Sequence, residues 1–156
     1  MPKLQAPKIT PFLWFDSEAE AAANLYCSIF DDSRITNVAR AGEKVMSVTF
    51  ELGGQRLMAL NGGPHYKLTP AFSLLVSVES QAELDRTWEA LLAGGGEPTR
   101  CGWLVDRYGL SWQVIPTALP RLMSDPDPGR ASRAVQAMMG MSKLDIDGLE
   151  RAANGG

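Results

Sequence analysis

Two S-x-x-E tetrads, Ser17-Glu18-Ala19-Glu20 and Ser80-Gln81-Ala82-Glu83, stand 63 residues apart, and each follows a short apolar run. In this capping-box spacing the hydroxyl and the carboxylate each satisfy a backbone N–H that a helix start leaves free. The runs ahead of them, 9–15 and 72–78, read as strands. Behind the first box, Ala22, Leu25, Tyr26, Ile29 and Phe30 recur at the spacing of one helix face, and behind the second, Leu84, Trp88, Leu91 and Leu92 do the same. Strands are then predicted at 34–40, 45–52 and 55–61, with Gly53-Gly54 as a tight hairpin turn. After Gly94-Gly95-Gly96 stops the second helix, residues 98–104, 105–109 and 110–115 read as a strand, a short strand with a turn, and a final strand. The order βαβββ therefore occurs twice. It predicts an α+β fold: one domain over 1–156 built from modules 8–61 and 71–116, joined by the linker 62–70. A helical extension follows at 117–156, where Asp127-Pro128 and Asp145 read as helix starts and Ala131, Ala134, Val135, Met138 and Met139 form a stripe.

Composition removes several classes of function. The chain has 15 Lys+Arg against 18 Asp+Glu, a net charge of −3, with the cations scattered, so nucleic acid is not an expected partner. No run reaches the roughly 18 apolar residues of a membrane span, and the N-terminal residues do not read as a signal peptide. Cys27 and Cys101 belong to no CxxC pair, which fits a reducing cytoplasm. The single histidine, His65, excludes any site in one chain that needs two imidazoles.

The runs Ile9-Thr10-Pro11-Phe12-Leu13-Trp14-Phe15-Asp16, Leu60-Asn61-Gly62-Gly63-Pro64-His65, Cys101-Gly102-Trp103-Leu104, Asp106-Arg107-Tyr108-Gly109 and Ser111-Trp112-Gln113 carry a family resemblance. The chain resembles the PhnB-like proteins, many of them labelled 3-demethylubiquinone-9 3-methyltransferase, within the vicinal oxygen chelate superfamily of glyoxalase I, bleomycin-resistance proteins and extradiol dioxygenases. The resemblance implies paired βαβββ modules forming a U-shaped mixed sheet around a cavity, and a homodimer. It also implies a divalent metal, held from the first and fourth strands and their counterparts. Those positions fall here on Thr10, on Ala59 or (with a slip of two) Asn61, on Ser73 and on Gln113. Only Gln113 is a plausible ligand, so no metal or other cofactor is expected; the alternative is a rearranged site using Gln113 and His65. Methyl transfer is not expected either, because a methyl-donor site of the doubly wound type needs a glycine-rich strand-to-helix turn. Phe15-Asp16-Ser17 and Glu79-Ser80 have no glycine.

With Gln113 taken as facing the cavity, strand alternation assigns the lining. Ser111 and Ile115 share its side, and Thr10, Phe12, Trp14, Leu57, Ala59, Asn61, Ser73 and Leu75 are assigned to the same hollow. Thr10, Phe12, Trp14, Asn61, Ser73, Ser111 and Gln113 are accordingly the expected ligand-binding residues, an apolar surface with sparse polar groups. Cys101 reads as a buried thiol, with a nucleophile as the alternative. Asp106 reads as a turn residue, with a general base as the alternative. The leading expectation is a homodimeric binder of a small, partly apolar ligand. The alternatives are a metal-assisted lyase, isomerase or dioxygenase, and a subunit that acts on another protein through its Met-rich tail.

Overall fold

Along β1 (Phe12–Phe15), Leu13 and Phe15 are buried while Phe12 and Trp14 are not, so one face of the strand meets the core and the other does not. The computed structural model describes residues 6–156, and the chain divides after Leu68 into two compact units, each considered by itself. In the first, α1 (Ala19–Ile29) follows β1, and β2 (Arg34–Ala41), β3 (Lys44–Leu52) and β4 (Gln55–Asn61) complete a mixed sheet in the order β1-β4-β3-β2. β4 returns to lie parallel beside β1, pairing Leu13 with Ala59 and Phe15 with Asn61. Ala19, Ala22, Ala23 and Tyr26 of α1 pack over Leu13, Phe15, Val48, Phe50, Leu57 and Ala59, all buried. The predicted stripe is thus rotated towards the small residues, which let the helix approach the sheet closely.

The second unit repeats the plan. β5 (Ser73–Val78), α2 (Gln81–Leu92), β6 (Glu97–Pro98), β7 (Trp103–Val105) and β8 (Ser111–Pro116) form a sheet in the order β5-β8-β7-β6, with β5 and β8 parallel. Two mixed four-stranded sheets and five helices among the described residues make this an α+β fold of two βαβββ modules. None of those helices is long and apolar enough to cross a membrane.

The two capping boxes have different fates. Ser80 accepts from Glu83 N–H at 3.2 Å, and the Glu83 carboxylate accepts from Glu79 N–H at 2.8 Å, so the second box forms nearly as predicted. The first does not. Glu18 occupies the N-cap position without a side-chain cap, and the Glu20 carboxylate is drawn instead to Arg40 at 3.2 Å. Asn61, from the far end of β4, supplies the missing acceptor: its Oδ1 takes Ala19 N–H at 2.8 Å. A charged partner across the surface and a long-range amide have replaced a local cap worth about 1 kcal/mol.

The strand predicted over 98–104 is also broken. Cys101 and Gly102 turn through φ of 57° and 85°, and Trp103 N–H closes the turn on Arg100 C=O. The break is where the extension attaches: Cys101 N–H and Gly102 N–H donate to the carbonyls of Met141 and Ser142. A Cβ on Gly102 would stand 3.0 Å from Val114 O and 3.1 Å from Leu144 Cδ1, in a left-handed backbone that disfavours other residues. The extension consists of α3 (Ala118–Met123), α4 (Pro128–Met139) and α5 (Ile146–Ala153). Asp127 and Asp145 cap α4 and α5 as predicted. Leu144 and Leu149 are fully buried, and the Gln81 side chain ties the segment to α2 by donating to Leu144 C=O and accepting from Ile146 N–H. The extension docks on the second module.

Asp106 organises the turn before β8. Its Oδ1 accepts from Tyr108 N–H and Leu110 N–H at 2.8 and 3.1 Å, its Oδ2 accepts from Trp112 Nε1–H at 2.9 Å, and the residue is buried. Asp106→Ala would strand three donors and should lower stability by about 3 kcal/mol or more, with Asp106→Asn intermediate; urea denaturation measures both. A second expectation concerns acid. Asp85 is held below the usual carboxyl range by the Gln81 amide and then by Lys143 at 3.0 Å, and Asp125 by Arg130 at 2.9 Å. A depressed folded pKa stabilises fully above the unfolded value near pH 4 and loses that effect as pH falls through the folded value. The side-chain carboxyl NMR signals of Asp85 and Asp125 should therefore titrate below the ordinary aspartate value of about 4.

Candidate functional site

In each sheet the strands present one face to the helix and leave the other without it. Register assigns the residues to faces, because directly paired residues point the same way. In the first module Phe12 pairs with Met58 and Trp14 with Leu60, so these four share the face opposite α1. Met58 in turn pairs with Thr49, and Arg56 with Glu51. Asn61 pairs with Phe15 on the α1 side, which corrects its assignment to the same face as Phe12 and Trp14. Both ends of its amide are committed, Oδ1 to Ala19 N–H and Nδ2 to Val45 C=O at 3.1 Å. Leu57 and Ala59, buried under α1, move to the helix side with it.

Trp14 stays on the opposite face but is latched by its own module. Its Nε1–H donates to Gly63 C=O at 3.0 Å, and Tyr66 meets its ring edge to face at 5.0 Å. The ring lies against Gly62, where an added Cβ would come within 2.2 Å of a ring carbon. Phe12 is half exposed, at 51%. Thr10 precedes β1 and is partly buried.

In the second module Ser73, Ser111 and Gln113 do share a face, opposite α2. Ser73 pairs with Ser111 and Leu75 with Gln113, and Gln113 Nε2–H donates to Ser73 Oγ at 3.0 Å. Ser111 Oγ is buried and has no hydrogen-bond partner among the described residues. Leu75 beside them is 56% exposed, while Trp112 and Val114 are buried on the α2 side. As expected from alternation, β8 thus carries an apolar helix-facing row and a more polar row opposite.

The donor set does not fit a divalent metal. Ala59 has no donor atom, Thr10 and Ser73 offer only neutral hydroxyls, and Gln113 offers one amide oxygen. His65 is exposed in the loop after β4. Among the described residues no three His, Cys, Asp or Glu side chains gather into a group able to hold an ion. Of the two thiols, burial pushes Cys27 upward, which disfavours the thiolate, and Cys101 Sγ lies 3.7 Å from Met139 Sδ within the docked extension. Asp106 is occupied by Tyr108 N–H, Leu110 N–H and Trp112 Nε1–H, the turn role expected of it.

A cleft of about 600 Å³ opens on the face of the first sheet opposite α1. Thr36, Asn37, Thr49, Glu51, Arg56 and Met58 line it, with Ala6 and Pro7 at its side. Glu51 Oε2 lies 3.5 Å from Arg34 Nε, whereas Arg56 Nε is buried with no hydrogen-bond partner among the described residues. The sequence does not single these residues out, because assigning Leu57, Ala59 and Asn61 to the cavity face counts β4 with the wrong parity. Counting from the Gly53-Gly54 hairpin, across which Leu52 pairs with Gln55, places Arg56 and Met58 correctly.

Residues 7–115 match the family model described as 3-demethylubiquinone-9 3-methyltransferase. Among solved structures, the chain is similar to the PhnB protein from Bacillus cereus, at 35% identity over 71% of this chain and 100% of that one, with a TM-score of 0.67. It is also similar in fold to protein PA1353 from Pseudomonas aeruginosa, at 23% identity over 71% and 98% of the two chains, with a TM-score of 0.57. A glyoxalase-related enzyme from Fulvimarina pelagi aligns at 14% identity over 72% and 91%, with a TM-score of 0.49. No curated protein matches.

Gly62→Ala tests the Trp14 latch. The new methyl group would collide with the indole, so the near-ultraviolet circular dichroism of the tryptophans should change and the melting temperature should fall, while Gly42→Ala, in open space at the β2–β3 turn, should leave that spectrum unchanged.

Proposed function

Because the chain belongs to the 3-demethylubiquinone-9 3-methyltransferase family of PhnB-like proteins, we propose that it is a glyoxalase-superfamily binding protein for a small, partly apolar molecule, acting as a homodimer. The cleft opposite α1 carries this reading: apolar Met58 and Pro7 stand beside Thr36, Asn37 and Thr49, the mixture by which small-molecule sites bury a ligand and orient it. Half-exposed Phe12 extends the apolar part on the same face. The second module, considered by itself, carries a polar group of its own opposite α2, where Gln113 donates to Ser73 beside Leu75.

Binding is assigned without a metal, because the positions from which the superfamily holds one read Thr10, Ala59, Ser73 and Gln113. Methyl transfer is not adopted from the family's description. Neither sheet is doubly wound, and the strand-to-helix turns at Asp16–Glu18 and Glu79–Ser80 lack the glycines that let a backbone approach a nucleotide-like donor.

Native mass spectrometry of protein purified under mild conditions should reveal a copurifying small molecule that survives treatment with EDTA. Met58→Trp, which fills the cleft, should weaken its binding by at least about tenfold, equivalent to about 1.4 kcal/mol. Retention of stoichiometric zinc, nickel or manganese with loss of binding on chelation would overturn the metal-free reading. Unchanged affinity in Met58→Trp would remove the cleft from the site.

A further inference from the structure

Arg56 sits one residue after the start of β4 and directly opposite Glu51 on β3, a pairing that would ordinarily join the two side chains. The ion pair forms elsewhere: Glu51 approaches Arg34, on the neighbouring strand. Arg56, which lines the cleft, is left with a buried Nε–H that has no acceptor among the described residues. An N–H group in that state destabilises the fold, more so when charged, and the cost disappears when a ligand supplies the acceptor. Guanidinium donors are arranged in a planar fork that matches a carboxylate with two parallel hydrogen bonds.

We propose that Arg56 is the anchor for the carboxylate of a small monoanionic ligand, whose apolar remainder lies on Met58 and Pro7; the assignment rests on the binding function proposed for this cleft. The charge balance selects a monoanion. With Glu51 paired to Arg34, the Arg56 guanidinium is left to neutralise a single negative charge, whereas the second charge of a phosphate dianion would have no cation to meet it. Asn37 and Thr49, on the adjacent strands, offer further polar groups along the same wall.

The test titrates the full-length protein with benzoate and octanoate, each paired with its uncharged amide, benzamide and octanamide, and follows the backbone amide NMR signals of Thr49 and Met58. At least one acid should bind saturably and at least about tenfold more tightly than its amide. Arg56→Gln and Arg56→Met should abolish that preference, bringing the acid to the affinity of its amide, and their urea midpoints should be unchanged or raised, because a buried unpaired donor has been removed. Inorganic phosphate should not compete. Equal binding of acids and amides, or an acid preference that survives in Arg56→Met, would overturn the role of Arg56 while leaving the cleft as a binding site. Absence of saturable binding by any of the four would overturn both.

Discussion

The parallel pairing of the first and last strands of each module is the constraint on which the remaining structure depends. A parallel pair cannot be closed by a hairpin and requires a crossover. In the first module the crossover is α1, β2 and β3, and it ends when β4 lies beside β1 with Phe15 opposite Asn61. The ladder continues past the strands, as Gly62 N–H and Gly63 N–H bond to the carbonyls of Phe15 and Asp16. That continuation delivers Gly63 C=O to the Trp14 indole and the Asn61 amide to the first turn of α1. Helix start, aromatic latch and the division of residues between faces all follow from one register.

Most of the architecture was legible because it is written in local signals: the helix stripes, the Gly53-Gly54 turn and the capping residues Ser80, Asp127 and Asp145. β4 was predicted over its observed residues, and the alternation of β8 was read correctly because every residue from Ser111 to Pro116 lies in one unbroken strand. What failed was non-local. The Ser17 box lost to Arg40 and Asn61, partners 20 and 42 residues distant from Glu20 and Ala19. Residues 98–104 look extended in isolation, but the turn at Cys101-Gly102 is held by hydrogen bonds to Met141 and Ser142. The site was legible in part: Phe12 and Trp14 share one face and Ser73, Ser111 and Gln113 another, but Asn61 reads as a ligand residue only until its register is known.

The duplicated modules have spent their similarity in different ways. The second has acquired α3, α4 and α5, whose buried Leu144 and Leu149 add apolar packing and whose backbone closes the turn at Cys101. The first receives no such helices within its own unit. It closes the start of α1 with a side chain from β4 and holds a cleft on the opposite face of the same sheet. A Cβ at Gly62 is forbidden by the Trp14 ring, so the glycine linker after β4 serves packing in place of the flexibility that its composition suggests.

Two charged side chains in this fold show how burial alone fails to identify a functional group. Asp106 is more deeply buried than Arg56, yet its carboxylate accepts from two backbone N–H groups and an indole, and those partners account for its presence without any ligand. Arg56 lines the cleft with a buried Nε–H that has no hydrogen-bond partner among the described residues, and its cross-strand carboxylate pairs elsewhere. A buried polar network that is satisfied specifies structure, whereas an unsatisfied one destabilises the fold unless binding completes it. The distinction depends on the partners each group has in the folded module. By that criterion Asp106 holds the strand turn together, and Arg56 is the group whose hydrogen bonding a ligand would complete.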